Sequence, residues 1–310
     1  MLTAQPHRLV SPRLASLLIL SITLLLQACG AKHSDAAAVP ESPGASDDSA
    51  AVMKRYDLDG GNPSTVELPK DLAEISGITY APDGRLFGHH DETATIFQLD
   101  PATGHILSRF DLGDGKKPMR GDFEDLAIVD STFYLVSSRG ELYEFAEGVD
   151  GSHVEYLRHQ TPLSAQYDIE GLCYDPATRS LLLACKEFPG DGMKGSKAIY
   201  SWSLADKRLS EKPRFLLPIE ELRKSSGREI FKPSGIVRHP DSGSFLVIAS
   251  HGNAIAEISA DGRLIAQRHL SEKIHRQPEG IAIAPDRSLV ISDEGTKHSI
   301  LTRYPAGAAR

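Results

Sequence analysis

The stretch QPEGIAIAPDRSLVISDEG, residues 277–295, decides the fold because the chain repeats its pattern four more times. Each copy has a short apolar run, a turn and a second apolar run, with polar residues at both outer ends. The earlier copies are EISGITYAPDGRLFGHHDE (74–92), FEDLAIVDSTFYLVSSRG (123–140), DIEGLCYDPATRSLLLACKE (168–187) and KPSGIVRHPDSGSFLVIASHG (232–252). Equivalent positions are 48, 46, 64 and 45 residues apart. This period predicts an all-β fold, a five-bladed β-propeller with four strands in each blade. A β-sandwich with accidental self-similarity is the alternative.

The two ends of the repeat array predict how the ring closes. The fifth repeat ends soon after SILTRYP and supplies three strands, whereas VMKRYDL at 52–58 precedes the first repeat and belongs to no blade. We therefore expect an N-terminal strand at 52–58 to complete the last blade and cover its open edge. The long fourth interval is explained by a Gly-rich excursion at 189–196 and a short helix that begins at Ile219.

The N-terminus resembles a bacterial lipoprotein signal. Arg8 and Arg13 precede the apolar run LASLLILSITLLLQ, and LLQAC resembles a lipobox that ends at Cys29. We predict a signal peptide at 1–28, a lipid on Cys29, a flexible tether at 29–51 and the propeller domain at 52–310. The implied location is the periplasmic face of the cell envelope, with membrane attachment through the lipid anchor. An uncleaved membrane anchor is the alternative, although the apolar run is shorter than the usual span of about 20 residues.

The charge of the chain argues against nucleic acid as a partner. The net charge is −8, and no basic stripe with interleaved aromatic residues is present, so nucleic-acid binding is not expected.

Beyond the lipobox only two cysteines remain, Cys173 and Cys185. An exported protein could join them. However, DPATRS as the turn places Cys173 opposite residue 182 or 183, out of step with Cys185, so two buried thiols are expected.

Polar residues of the five repeats should meet at one end of the channel. A hairpin brings the start of its first strand beside the end of its second strand. Ten side chains therefore converge on one rim. At the start of the first strands these are Ser76, Glu124, Glu170, Ser234 and Glu279. At the ends of the second strands they are Asp91, Arg139, Lys186, His251 and Glu294.

Three carboxylates at one channel mouth repel each other unless positive charge compensates them. One interpretation pairs Glu124 with Arg139 and Glu170 with Lys186 inside their own blades. The other places a hard cation on the axis, bound by Glu124, Glu170 and Glu279, with further carbonyls or waters, which suits the six to eight oxygen ligands of Ca²⁺. The residues alone leave both interpretations open.

From Leu72 to Tyr304 the chain resembles the SdiA-regulated family of bacterial envelope proteins, which is distantly similar to NHL-repeat propellers. The motifs that carry the resemblance are EISGITY, DFEDLAIV, DIEGLCYD with CKE, KPSGIV with ASHG, and QPEGIAIA. The resemblance implies a five-bladed propeller with bound calcium. It favours Glu124, Glu170 and Glu279 as ligands, with Lys186 and His251 nearby. Ser138-Arg139 departs from the acidic residue that the family pattern suggests in blade 2.

Two functional hypotheses follow. The preferred one is a lipid-anchored calcium-binding propeller that serves as a binding or scaffolding module for a protein or small-molecule ligand at its rim. The alternative is a metal-dependent hydrolase of the lactonase or phytase-like type, in which the cation polarises a carbonyl or phosphoryl oxygen. Its acid and base candidates are His89, His90, His251 and Asp293. The sequence contains no GxSxG, HExxH or P-loop motif.

Overall fold

The computed structural model describes residues 51–59, 63–113, 115, 117–226, 230–295 and 298–307. The predicted signal peptide, Cys29 and all of the predicted tether except Ala51 lie outside this part of the chain. Within the described residues, no helix is both long enough and apolar enough to cross a membrane.

Five antiparallel sheets form the blades. The first strand of the chain, β1 (Ser64–Glu67), belongs to the last blade. Blade 1 contains β2 (Ile75–Tyr80), β3 (Leu86–His90), β4 (Thr95–Leu99) and β5 (Ile106–Leu112). Blade 2 contains β6 (Phe123–Val129), β7 (Thr132–Ser137) and β8 (Leu142–Ala146), after which β9 (His153–Val154) pairs in parallel with β5 and β10 (Tyr156–His159) completes the blade.

Blade 3 contains β11 (Ile169–Asp175), β12 (Ser180–Cys185) and β13 (Ser196–Ser203), with β14 (Arg208–Leu209) and β15 (Phe215–Pro218) both paired to β13. Helix α1 (Ile219–Ser226) follows, as the sequence predicted. Blade 4 contains β16 (Lys232–Arg238), β17 (Phe245–His251), β18 (Ala254–Ile258) and β19 (Leu264–His269). Blade 5 contains β20 (Pro278–Ile283), β21 (Leu289–Asp293), β22 (Ile300–Tyr304) and β1.

The blades close into a ring around a central channel. Each innermost strand contacts the innermost strands of the two neighbouring blades, in the cyclic order β2, β6, β11, β16 and β20. Five apolar clusters fill the spaces between adjacent blades, and each draws its side chains from two blades. The predicted five-bladed propeller is therefore confirmed, and the sandwich alternative is excluded.

The first hairpin of every blade turns at one residue with a positive φ angle. These residues are Gly84, Asp130, Arg179, Gly243 and Arg287. Compact hairpin loops require a left-handed residue to reverse the chain. The turns therefore account for the Asp, Pro and Gly residues between the two apolar runs of each repeat.

An N-terminal strand closes the last blade, but it is not the predicted segment. Ser64–Glu67 pairs with β22, from Ser64 opposite Arg303 to Glu67 opposite Ile300. Its side chains are mostly exposed, because the outermost strand of a blade packs little apolar surface. The prediction that 52–58 forms this strand was wrong: 52–58 precedes the first repeat and belongs to no blade, but the outermost position is occupied by the polar segment Ser64–Glu67 that follows it.

Residues 51–58 instead fill the groove between blades 4 and 5. Val52–Arg55 forms a 3₁₀ helix. Ala51, at the end of the predicted tether, is buried in the same apolar cluster as Val52, Met53, Tyr56 and Leu58. The buried Glu257 carboxylate accepts hydrogen bonds from the backbone N–H groups of Val52 (3.2 Å) and Met53 (2.9 Å). The segment is thus an interblade wedge held by apolar burial and one buried carboxylate.

The two cysteines are free and buried, as predicted. Cys173 lies opposite Leu182 and Cys185 lies opposite Ile169. Cys173 packs between blades 3 and 4, whereas Cys185 packs between blades 2 and 3. The thiols therefore face opposite sides of one sheet. Burial raises the pKa of the Cys185 thiol to about 12.

Candidate functional site

A β-bulge occurs at the same place in all five innermost strands. In blade 2, Phe123 pairs with Ser137 and Asp125 with Val136, which leaves Glu124 between them without a partner. In blade 3, Glu170 is skipped in the same way. The bulge positions are the first predicted column: Ser76, Glu124, Glu170, Ser234 and Glu279. Bulges redirect side chains and are frequent beside functional sites, so five bulges at one level set this end of the channel apart.

Glycine after the bulge allows neighbouring blades to approach closely. A Cβ atom on Gly235 would lie 2.7 Å from the Glu279 carbonyl oxygen, and one on Gly280 would lie 2.6 Å from the Ser76 carbonyl oxygen. Real side chains do not tolerate such contacts. The glycines of the repeat motif therefore permit each bulge to contact the next blade, which brings the bulge residues together.

Asp125 replaces glycine at this position in blade 2. Its carboxylate accepts hydrogen bonds from the backbone N–H groups of Leu126 (2.8 Å) and Leu172 (2.6 Å), so it links blade 2 to blade 3. Complete burial raises its pKa well above the usual value. Asp125 was not among the predicted site residues, although its departure from the glycine at this position of the repeat was a visible signal.

Serine and glutamate have different tasks at the bulges. Ser76 Oγ donates to the Glu124 carbonyl oxygen and Ser234 Oγ donates to the Pro278 carbonyl oxygen, each at 2.6 Å. Both hydroxyl groups are therefore used to join adjacent blades. The glutamate side chains carry the charge of the mouth.

Burial and nearby carboxylates raise the pKa values of the three glutamates. Burial is the largest cause for Glu124, whose pKa rises to about 10 with a further contribution from Glu170. Burial likewise raises the pKa of Glu279 to about 8, again with a contribution from Glu170. The pKa of Glu170 reaches about 7 by burial, against the opposing effect of Lys186. The mouth therefore holds less positive charge than three ionised carboxylates require.

Lys186 is the cation in contact with this cluster. Its Nζ donates to Glu170 Oε1 at 2.5 Å and lies 3.9 Å from Asp168 Oδ2. Burial alone would lower its pKa, but Glu170 reverses the effect and the pKa is raised. The predicted Glu170–Lys186 pair is thus present.

Arg139 does not pair with Glu124 among the ion pairs of the described residues, and its side chain is exposed. The backbone pattern explains why. Lys186 N–H donates to the Asp168 carbonyl (2.8 Å), and Ser138 N–H donates to the equivalent Asp122 carbonyl (3.0 Å). Ser138 thus occupies in blade 2 the place of Lys186 in blade 3, and Arg139 lies one residue further along. Blade 2 leaves Glu124 without an internal counter-ion.

The remaining rim residues lie at the same end of the channel. Asp91 and Glu294 occupy the place of Lys186 in blades 1 and 5, because their N–H groups donate to the carbonyls of Glu74 (3.2 Å) and Gln277 (2.9 Å). His251 ends β17 and is exposed. Asp122 and Asp168, two positions before the bulge glutamates, add negative charge that the sequence analysis missed.

Two of the four acid and base candidates are enclosed. His89 is fully buried, its Nε2 accepts from Gly77 N–H at 3.0 Å, and burial lowers its pKa to about 4. The buried Asp293 carboxylate bonds His275 Nδ1 at 2.7 Å. His90 and His251 remain accessible at the rim.

The residues present fit a hard cation by charge and donor type. Glu124, Glu170 and Glu279 offer only oxygen donors, the type that Ca²⁺ prefers. Among the described residues, three potential ligand atoms lie within 4.8 Å of one another only in the set Glu74, His90 and Asp91. The glutamate carboxylates therefore stand further apart while Lys186 holds Glu170. They must rotate inward to share one ion.

The channel beyond the mouth is narrow. It encloses about 180 Å³ and is lined by residues of all five innermost strands, including Ile78, Leu126, Leu172, Ile236 and Ile281. Pockets for drug-sized molecules usually span about 300–1,000 Å³. The channel is therefore suited to an ion and a few waters, and a larger ligand would have to bind at the rim.

Several solved structures are similar to this chain. Glutaminyl cyclase from Myxococcus xanthus shares 15% identity over 79% of this chain and 96% of its own, with a TM-score of 0.52. A luciferin-regenerating enzyme is 11% identical over 80% of this chain and 99% of its own, with a TM-score of 0.49. The calcium-binding protein regucalcin from Agrobacterium tumefaciens is 14% identical over 79% of this chain and 97% of its own, with a TM-score of 0.46. At 15% identity, the similarity to glutaminyl cyclase shows the fold alone.

Sequence comparison identifies the family. None of the curated proteins compared with the chain matches it. The SdiA-regulated family model matches residues 64–294, which run from the closing strand to the end of the last bulged hairpin and include every bulge glutamate. The chain therefore belongs to the SdiA-regulated family.

Proposed function

We propose that this protein is a calcium-binding β-propeller that serves as a binding or scaffolding module at the bacterial envelope. The observation that carries the proposal is the convergence of Glu124, Glu170 and Glu279 at equivalent bulges, with raised pKa values and Lys186 as their contacting cation. Such a cluster is costly unless a further cation joins it. Bound calcium would supply that charge.

The chain's own residues have distinct tasks in this proposal. The bulges hold the three glutamates at one level, and the serine bulges fix adjacent blades by their hydrogen bonds. Lys186 holds Glu170 until the cation replaces it. With the ion bound, the rim becomes a rigid surface for a protein or small-molecule partner.

A calorimetric titration of the protein with Ca²⁺ tests this function. Calcium should raise the stability of the folded state by about 2.7 kcal/mol at a hundredfold excess over the dissociation constant. Glu170→Gln should remove most of the gain, because the amide keeps the shape and loses the charge. Glu211→Gln, on an exposed turn, is the matched control and should behave as wild type. A wild-type melting curve that does not change with chelator would refute the proposal.

A metal-dependent hydrolase is the second candidate, favoured by the accessible His90 beside the acidic mouth. The test is a panel of lactones and phosphate esters, assayed with and without chelator. Chelator-sensitive turnover that His90→Gln abolishes would favour this candidate. Such substrates would have to bind at the rim, where only His90 and His251 of the four acid and base candidates are accessible. We therefore prefer the binding module.

Membrane attachment through a lipid on Cys29 is part of the same proposal. It rests on the signal-like and lipobox-like residues at 1–29. Metabolic labelling with a palmitate analogue should mark the wild type and not Cys29→Ser. Equal labelling of both would exclude this anchor.

A further inference from the structure

Glu74, His90 and Asp91 form a second cluster of potential ligands, separate from the bulge glutamates. Glu74 precedes β2, and His90 ends β3 directly opposite Ile75. Asp91 N–H donates to the Glu74 carbonyl at 3.2 Å, which fixes the two backbones side by side. One ligand atom from each of the three residues lies within 4.8 Å of the others. The strand pairing of blade 1 therefore builds this cluster.

The imidazole gives this cluster a different chemistry from the glutamate mouth. His90 Nδ1 lies 3.1 Å from Asp91 Oδ1, and His90 Nε2 lies 3.5 Å from Glu74 Oε2. Nitrogen ligands suit Zn²⁺ and neighbouring first-row transition metals, whereas Ca²⁺ takes oxygen ligands.

The adjacent blade adds negative charge near the cluster. Glu294 approaches from blade 5, where Gly295 N–H donates to the Ala73 carbonyl at 3.2 Å. Among the ion pairs of the described side chains, Glu74 and Asp91 are paired only with His90, and Glu294 has none. Neighbouring Glu92, by contrast, pairs with Arg120 at 2.7 Å.

The cluster is open to solution. The side chains of His90, Glu74 and Asp91 are 21%, 46% and 37% exposed, so an ion can enter without opening of the fold. We infer that Glu74, His90 and Asp91 form a second cation site, selective for Zn²⁺ and similar transition metals over Ca²⁺. Glu294 supplies further negative charge from the adjacent blade.

Titration of tag-free protein with Zn²⁺ in the presence of saturating Ca²⁺ tests this inference. We expect one Zn²⁺ per chain, and a visible absorption band when Co²⁺ is used in its place. His90→Gln should weaken Zn²⁺ binding at least tenfold and leave the Ca²⁺ titration unchanged. His105→Gln, an exposed histidine of the same blade, should bind Zn²⁺ as the wild type does.

Three results would overturn the inference. These are no Zn²⁺ binding by the wild type, equal binding by wild type and His90→Gln, or full competition by Ca²⁺. Glu74→Gln gives an independent check if His90→Gln proves unstable, because Glu74 side-chain oxygens have no role in the strand pairing. The inference does not rest on the calcium proposal. Zn²⁺ binding that depends on His90 would stand even if Ca²⁺ bound nowhere.

Discussion

Replacement of Lys186 by methionine should tighten calcium binding and destabilise the calcium-free protein. Lys186 Nζ lies 2.5 Å from Glu170 Oε1. A cation shared by the glutamates must break this contact, so the lysine competes with it. Methionine keeps most of the apolar stem and removes the charge.

The structure sets the size of the effect. The Lys186 and Glu170 side chains are 20% and 9% exposed, so water screens their contact weakly. A hydrogen bond between charged groups contributes about 1.5–3 kcal/mol. Since 1.4 kcal/mol is a tenfold change in affinity, we expect Lys186→Met to bind Ca²⁺ about 10- to 100-fold more tightly. Loss of the lysine also favours protonation of Glu170, so the gain should be larger at pH 9 than at pH 7.

Calorimetric Ca²⁺ titrations at pH 9 and thermal melts with chelator measure the two effects. Lys207→Met is the control, because Lys207 Nζ also contacts a carboxylate, Glu144 Oε2 at 2.7 Å, but at a site away from the mouth. It should leave calcium affinity unchanged. Equal or weaker calcium binding by Lys186→Met would show that the lysine does not compete for the site.

Three further predictions follow from the same contacts. The calcium-free protein should lose stability from about pH 5 to pH 8, because burial raises the folded-state pKa of Glu170 to about 7 and that of Glu279 to about 8. Stability from such groups is complete below their unfolded pKa of about 4.3 and is lost as pH rises to the folded pKa. A thermal midpoint that rises over this range in chelator would contradict it. Glu257→Ala should lower the free energy of unfolding in urea by at least about 2 kcal/mol, since two buried N–H groups lose their acceptor; an unchanged midpoint would mean that the wedge holds by apolar packing alone. Gly280→Ala should cost about 1–3 kcal/mol because its Cβ would lie 2.6 Å from the Ser76 carbonyl oxygen, and an unchanged melting curve would show that the blades can separate there.

The sequence was sufficient to predict the blades and the five positions that form bulges at one end of the channel. Inward and outward side chains alternate along each strand, so the sequence of each repeat shows which of its side chains are buried. Repetition then fixed the number of blades, and alignment of the repeats found the five bulge positions. Finding these equivalent positions required no knowledge of contacts between distant residues.

Charge pairing at the mouth was only partly predictable. The Glu170–Lys186 pair follows from the hairpin of one blade, and it was foreseen. The alignment of the repeats put the exposed Arg139 at the position that Ser138 occupies in the structure, one residue too early. A bulge changes the strand register by one position, and the sequence does not show where that change occurs. Prediction of the Glu74–His90–Asp91 cluster likewise requires the strand register across the bulge of blade 1.

What the sequence by itself determined is the repeating unit: five hairpins, their turns and the bulge glutamates at one end. What only the tertiary structure decided is how the ring closes and which groups compensate each other's charge. Ser64–Glu67 rather than 52–58 completes blade 5, and Val52 bonds Glu257 across 205 positions of chain. The physical reason is that an outermost strand gains most of its stability from backbone pairing with a distant partner, which leaves little hydrophobic pattern in its own residues.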